Sequence, residues 1–597
     1  LLKSAAFRQR SFQAALLFAL VILTAVWSYA GRNVSSPPAD TIIINARVYT
    51  AARGPSTWAE AIALKGDKIV SVGTATQINH FRGPHTMVID GGGRLVVPGF
   101  TDCHIHFLDG ALSLEQIQLE GTKDVAEIQQ RVKAYAGAHP DKPWILGRGW
   151  SYPVFGKFGL PDKRMLDEIV PDRPVYLEGF DGHTWWANSK ALQMAGITKQ
   201  TPDPPGGSIV HDPKTGDPTG AIKEDSADAL MRRVIPPPSQ EEKLKALRAG
   251  LKEANRVGLV RVHSAGGVSV NSSDLSNVDL LEQLRQSGEL TLRFYLAYRV
   301  NPPIVTRKQV QEIEQVRRRY HDDWISAGAV KFFMDGVIET HTAAMLQPYS
   351  DDPSLSGELL WEPEKYQQAV TELDRMGIQV FTHAIGDRAI RTALDGYESA
   401  AKTNRSHDAR HRIEHIEAVS AVDIPRFGKL GVIASMQPLH AYPDDDTLKL
   451  WAGNVGPERA QRAWAWNSIQ KQGGHLAFGS DWPVVTMNPW RGLQNAVTRQ
   501  TPEGDPPGGF VPQERISLQD AIEGYTIGAA YAGHRERTEG SLEPGKLADL
   551  IVLNQDLFKI EPNEIGKTEV LLTVVGGKVV YQSPNWDMAK SSTAGTQ

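Results

Sequence analysis

A single cysteine, Cys103, in 597 residues excludes any disulfide framework within the chain. Positive charge is not in excess either: 64 lysines and arginines stand against 69 aspartates and glutamates, a formal net charge of -5. Such a balance gives no basic field to gather nucleic acid, so no nucleic-acid partner is expected. No internal repeat is apparent. The composition, 41% hydrophobic and 22% charged, is that of an ordinary globular protein, and the length calls for two or three structural units.

The beginning of the chain differs in kind. Lys3, Arg8 and Arg10 precede a charge-free apolar stretch, 14–27, followed by Ser28, Tyr29 and Ala30. Basic flank, apolar centre and small-x-small ending describe a secretory signal; an uncleaved membrane anchor, which needs at least about 17 residues, is the competing reading. Residues 1–39 are expected to be signal peptide or anchor plus linker. The protein is then exported (periplasmic or extracellular) or tethered, with the membrane met only through this segment.

Short strand-like segments at 41–49 and 61–70 have counterparts at 548–553 and 570–581. Neither pair can build a core alone, so both chain ends are expected to form one small β-sandwich, from 40–97 and 536–585, followed by a tail at 586–597. Between them, apolar strands alternate with helical patterns, the sign of a parallel α/β architecture. Eight strands can be counted, at 95–100, 259–263, 292–298, 329–334, 379–383, 412–415, 431–436 and 476–479. That number predicts a (β/α)8 TIM-like barrel over 98–535, with a large insertion at about 108–255.

In this fold, chemistry sits at the C-terminal ends of the strands. His104 and His106 follow the first strand and, one residue apart, face the same side. His383 ends the fifth strand, His415 the sixth and Asp481 the eighth. Imidazoles and a carboxylate converging from separate strand ends point to a bound divalent metal. Lys331 lies among apolar neighbours in Gly328-Ala-Val-Lys-Phe-Phe-Met-Asp335. Burial favours its neutral amine, which can react with carbon dioxide to give a carbamate able to bridge two metals; an ammonium paired with Asp335 or Glu339 is the alternative. Cys103 faces away from the histidines and is expected to be packed. In the insertion, His183 is a candidate for substrate contact or for ordering a lid. Trp150, with Trp185 and Trp186, is a candidate wall of the substrate pocket or else core packing.

Pro98-Gly-Phe-Thr-Asp-Cys-His-Ile-His106, Thr382-His-Ala-Ile-Gly-Asp387, Arg412-Ile-Glu-His415 and Phe478-Gly-Ser-Asp-Trp-Pro483 together resemble the metal-dependent amidohydrolase superfamily. Val330-Lys-Phe-Phe-Met-Asp-Gly336, Asp181-Gly-His183 and Pro205-Gly-Gly207 resemble its YtcJ-like branch, which includes N-substituted formamide deformylase. The resemblance implies a distorted barrel with a composite β-sandwich and one or two divalent ions, zinc first, manganese or iron as alternatives. It implies that His104, His106 and Asp481 hold one ion, that Lys331 bridges as its carbamate, and that His383 and His415 hold the second. Asp481 would also carry the proton. The implied reaction is hydrolysis of a C–N bond in a small-molecule amide, an N-acyl or N-formyl amine. Esters, lactones and cyclic amides are the alternative substrates, and a non-catalytic binding protein on the same scaffold is a further one. Deamination is disfavoured, because the deaminases' glutamate after the fifth-strand histidine is absent from His383-Ala-Ile-Gly-Asp387.

Overall fold

The computed structural model describes residues 37–52, 57–156, 159–266, 277–405 and 408–586. The apolar N-terminal stretch read as a signal or anchor lies outside these residues. Among those described, no helix is long and apolar enough to cross a membrane.

Eight parallel strands form one sheet in chain order: Phe100–Ile105, Leu259–Ser264, Arg293–Arg299, Ile325–Phe333, Gln379–Ala384, Arg412–His415, Ile433–Met436 and His475–Phe478. Helices cover the outside, so strands such as Leu259–Ser264 and Gln379–Ala384 are buried at every residue. The eighth strand meets the first through the segment that follows it. Asp481 N donates to His104 O (2.6 Å) and His106 N donates to Trp482 O (2.8 Å), leaving a nearly closed barrel.

One expectation needs correction. The run 95–100 is not the first barrel strand but parts of two strands. Leu95–Pro98 pairs elsewhere, and the chain passes Gly99 into Phe100–Ile105. At Gly99 a Cβ would lie 2.2 Å from Val260 Cγ1, so only glycine lets the chain switch sheets this close to the second strand. Both halves are apolar, which is why the break is invisible to hydrophobicity.

The helix Gln240–Arg256 leads into the second barrel strand. Ser239 and Glu242 close a reciprocal capping box at its start. Leu244, Leu247, Leu251 and Ala254 are buried at helical spacing, each leucine contributing roughly 1.5–3 kcal/mol. This stripe packs against the helix Phe107–Ser113 that follows His106.

Between these two helices the chain builds a separate six-stranded sheet, ordered Ser208–His211, Pro218–Lys223, Thr184–Ala187, Val175–Gly179, Ile145–Trp150, Ile117–Gln118. It carries two apolar clusters of its own, one around Trp150 and Trp186 and one around Trp185. A further six-stranded sheet joins Lys578–Gln582, Val570–Val575 and Leu550–Leu553 to Leu95–Pro98, Arg47–Tyr49 and Trp58–Ala59. Its seam is the antiparallel pairing of Leu550–Leu553 with Leu95–Pro98, and it shares a core with a four-stranded sheet containing Thr41–Ile44.

Candidate metal centre and active site

The first strand delivers His104 and His106 at its C-terminal end. His104 directs Nδ1 to Glu414 Oε2 (2.5 Å), while its Nε2 lies 3.1 Å from Lys331 Nζ and 3.4 Å from Asp481 Oδ1. His106 Nδ1 donates to the carbonyl of Gly266, and its Nε2 is 3.1 Å from Asp481 Oδ1. In both rings the Nδ1 contact fixes the tautomer and leaves the Nε2 lone pair for the centre. Asp481 Oδ2 is 3.9 Å from His415 Nδ1. His415 and Asp481 both have positive φ, 75° and 62°, a conformation costly for side chains other than glycine. Gly479 enforces the approach: a Cβ there would sit 2.4 Å from His104 N.

Five of the six expected ligands thus surround one point: His104, His106, Lys331, His415 and Asp481. His383 stands beside them, its ring 4.5 Å from that of His415, but its Nε2 lies 3.2 Å from Gly336 O and 3.6 Å from Asp335 Oδ1. Lys331 is fully buried and pairs with neither Asp335 nor Glu339. Asp335 instead accepts backbone N–H bonds from Ala344, Ile385 and Gly386.

The electrostatics follow from enclosure. Burial, with Lys331 nearby, lowers the pKa of His104 to about 4. Burial also depresses His383 and His415 well below the ordinary imidazole range. Burial thus favours the neutral imidazole, the form that ligates metal. Burial works against ionisation of Asp481, but the imidazoles of His104, His106 and His415 outweigh it and hold the carboxyl well below its usual range. Burial brings Lys331 down to about 7. In metal-free protein Lys331 therefore keeps its proton in the unfolded chain but not in the folded one between pH 7 and about 10.4, and this group makes stability rise with pH across that window. Lys331→Met is expected to flatten this rise, read by urea unfolding at about pH 7 and 9.5.

A cavity of about 600 Å³ opens onto these groups. His106, His383, His415 and Asp481 face it from the barrel, and His183 from the insertion. His183 Nδ1 pairs with Glu224 Oε2 at 2.8 Å. Trp150 does not line the cavity. Its ring is fully buried in the insertion's core, Nε1 donates to Leu177 O (3.0 Å), and Tyr152 and Phe155 pack against it edge-on at 5.3 Å. Alternation along the strand explains the correction: its neighbours Gly149 and Ser151 face the cavity, so Trp150 points the other way. Trp186 shares its cluster, and Trp185 lines a different cavity of about 310 Å³.

Sequence reading misses His440. It stacks on His415 (5.6 Å, 5° between planes), with Nε2 3.7 Å from Asp481 Oδ2. The available signal is position: it is the first titratable side chain after the seventh strand, one of three strands, with the second and third, that supply none of the expected ligands. Also missed are Glu414, which holds His104, and Arg412, which holds Glu414 through two bonds (2.8 and 3.0 Å).

The donor set suits a cation. His415 Nδ1, His440 Nε2 and Asp481 Oδ1 are buried without a hydrogen-bond partner, and one atom each from His104, His415 and Asp481 lie within 4.8 Å of one another. Imidazole and carboxylate donors at that spacing match a divalent metal. A model of the Amidohydrolase family matches residues 87–581. The chain belongs to this family.

This amidohydrolase is 34% identical over 558 residues to the protein LONG AFTER FAR-RED 3 of Arabidopsis thaliana, covering 92% of this chain and 93% of the relative. It is 31% identical over 529 residues to YtcJ of Bacillus subtilis, a protein named as an amidohydrolase, with 88% and 96% covered. N-substituted formamide deformylase of Arthrobacter pascens is 26% identical over 548 residues, with 91% and 98% covered. Among solved structures, a metal-dependent hydrolase from Pyrococcus horikoshii superposes with a TM-score of 0.67 at 26% identity, covering 87% of this chain and 99% of that one. The amidohydrolase assignment makes the chain a hydrolase of carbon–nitrogen bonds, in a superfamily whose members bind divalent metals.

Proposed function

We propose that this amidohydrolase cleaves a non-peptide amide, an N-acyl or N-formyl amine, releasing a carboxylic acid and an amine with water as co-substrate. The observation that carries the reading is Asp481 ringed by His104, His106 and His415 where the 600 Å³ cavity meets the barrel. In this reading His104, His106 and Asp481 hold one divalent ion, and His383 and His415, with Lys331 as its carbamate, hold a second. Such an ion, zinc first and manganese or iron as alternatives, supplies Lewis acidity and brings the pKa of water near neutrality.

The chain's own groups do the rest. Asp481, ionised and within 3.1 Å of His106, takes a proton from water at its carboxylate and returns it to the departing nitrogen. His183, seated by Glu224, contacts the substrate from the insertion side. The buried Nδ1 contacts of His104 and His106 keep both rings in one orientation through the cycle. Asp181, Glu339, Glu417 and Asp446 also line the cavity, so amides of basic amines belong in the first substrate panel. Residues 1–39 are read as carrying the chain out of the cytoplasm or tethering it to the membrane, and 40–97 with 536–585 as one β-sandwich unit beside the hydrolase unit 98–535.

The test loads purified protein with zinc or manganese and offers N-formyl and N-acyl amines, dipeptides, esters and lactones. Turnover of the non-peptide amides ahead of the others is expected, with one to two metals per chain by elemental analysis. Hydrolysis of esters or lactones alone, or folded protein that takes up no metal, rejects the reading. Bicarbonate is expected to speed uptake of the second metal; uptake indifferent to bicarbonate, with Lys331→Ala still binding two ions, rejects the carbamate.

A further inference from the structure

The strand Ile145–Trp150 of the insertion ends at the cavity, where Gly149 and Ser151 form part of the wall. Arg148, between them and the strand's start, is directed to the barrel instead. It is 6% exposed, its Nη1 donates to the carbonyl of Pro483, and its Nη2 lies 3.4 Å from Glu178 Oε1. Pro483 stands two residues beyond Asp481.

The segment from Ser480 to Pro483 has further anchors on the first barrel strand. Ser480 donates to Asp102 through its N (3.0 Å) and Oγ (2.5 Å), Asp481 N donates to His104 O, and Trp482 O accepts from His106 N. All of these hold the segment at or before Trp482. Beyond Trp482, Val484 N closes a turn on Asp481 O (2.8 Å), and the bond from Arg148 to Pro483 O ties that turn to the insertion. Asp481 needs restraint from both sides, because an aspartate at φ 62° relaxes unless its neighbours over-determine it. A guanidinium removed from water is also a costly way merely to dock two surfaces, for which an apolar pair would serve.

We infer that Arg148 is a positioning residue for Asp481: the bond from Arg148 to the Pro483 carbonyl holds the carboxylate in its ligating place, so the insertion sets the metal affinity of the barrel. This rests on the reading of Asp481 as a metal ligand. Groups that orient a ligand without touching the ion are typically worth a 10- to 100-fold change in affinity, roughly the effect expected here.

The experiment measures zinc affinity of the full chain by competition with a chromogenic chelator, so no substrate is needed. Arg148→Met is expected to weaken zinc by about tenfold or more. Arg148→Lys, which can still donate to the carbonyl, should recover most of the loss, and Glu178→Gln, which frees the guanidinium from its second partner, should fall between. A role confined to docking would lower the unfolding temperature and leave affinity unmoved. Folded Arg148→Met binding zinc as tightly as wild type overturns the inference; if that variant does not fold, Glu178→Gln binding zinc as tightly as wild type does so. Wild-type protein that binds no zinc removes the metal reading itself, a distinct result.

Discussion

Asp481→Asn is expected to lower turnover by about a thousandfold or more, with the fold intact and part of the metal retained. The amide keeps the shape of the side chain and one oxygen for coordination. What it loses is the ability to accept a proton at neutral pH and the charge that faces His104, His106 and His415. His104→Ala with His106→Ala is the complementary variant: it removes both Nε2 donors and should empty the centre of metal and activity together. Steady-state kinetics beside elemental analysis separates the two roles. Asp481→Asn retaining activity within tenfold of wild type would mean that another group moves the proton.

The second large effect lies one layer outward. Arg412→Met is expected to destabilise the protein by about 3–5 kcal/mol, because it strands the Glu414 carboxylate in a fully buried site. It also breaks bonds to Cys103 O (2.5 Å), Ser435 Oγ (3.0 Å) and His263 Nδ1 (3.0 Å). The pH dependence has a definite sign. Burial alone would raise Glu414, but Arg412 and His104 hold it well below the ordinary carboxylate range. Its contribution is therefore full above about pH 4.3 and is lost as pH falls toward the lower folded pKa. The penalty of Arg412→Met should be largest near neutrality and shrink in acid. Adding Glu414→Gln should restore much of the stability while loosening His104, a non-additivity that urea unfolding of the single and double variants measures.

The barrel was legible because both faces of its strands are covered, so most are short, largely apolar segments with a polar residue where the strand emerges. His104, His106, His383 and Asp481 sit at such a transition, His415 ends the more polar strand Arg412–His415, and the fold makes the strand ends converge. His440 escaped because a turn, Gln437 to His440, separates it from its strand, so no apolar run ends on it. Glu414 and Arg412 were open to inference: two residues apart on a buried strand, they face the same side and must satisfy each other. Trp150 misled because aromatic content indicates apolar surroundings without saying which face of the sheet they occupy. Arg148 left no local trace, since its partner Pro483 is 335 positions away and the bond is to a backbone carbonyl.

The seam between Leu95–Pro98 and Leu550–Leu553 sets a schedule for synthesis. Arg47–Tyr49 and Leu95–Pro98 leave the ribosome early and present an unpaired sheet edge until Leu550–Val575 is made. Through most of translation that edge is open to chaperones and to neighbouring nascent chains. A premature stop between the helix Ile527–Ala532 and Leu550 would thus release a polypeptide whose barrel is complete but whose earliest strands have nothing to close against.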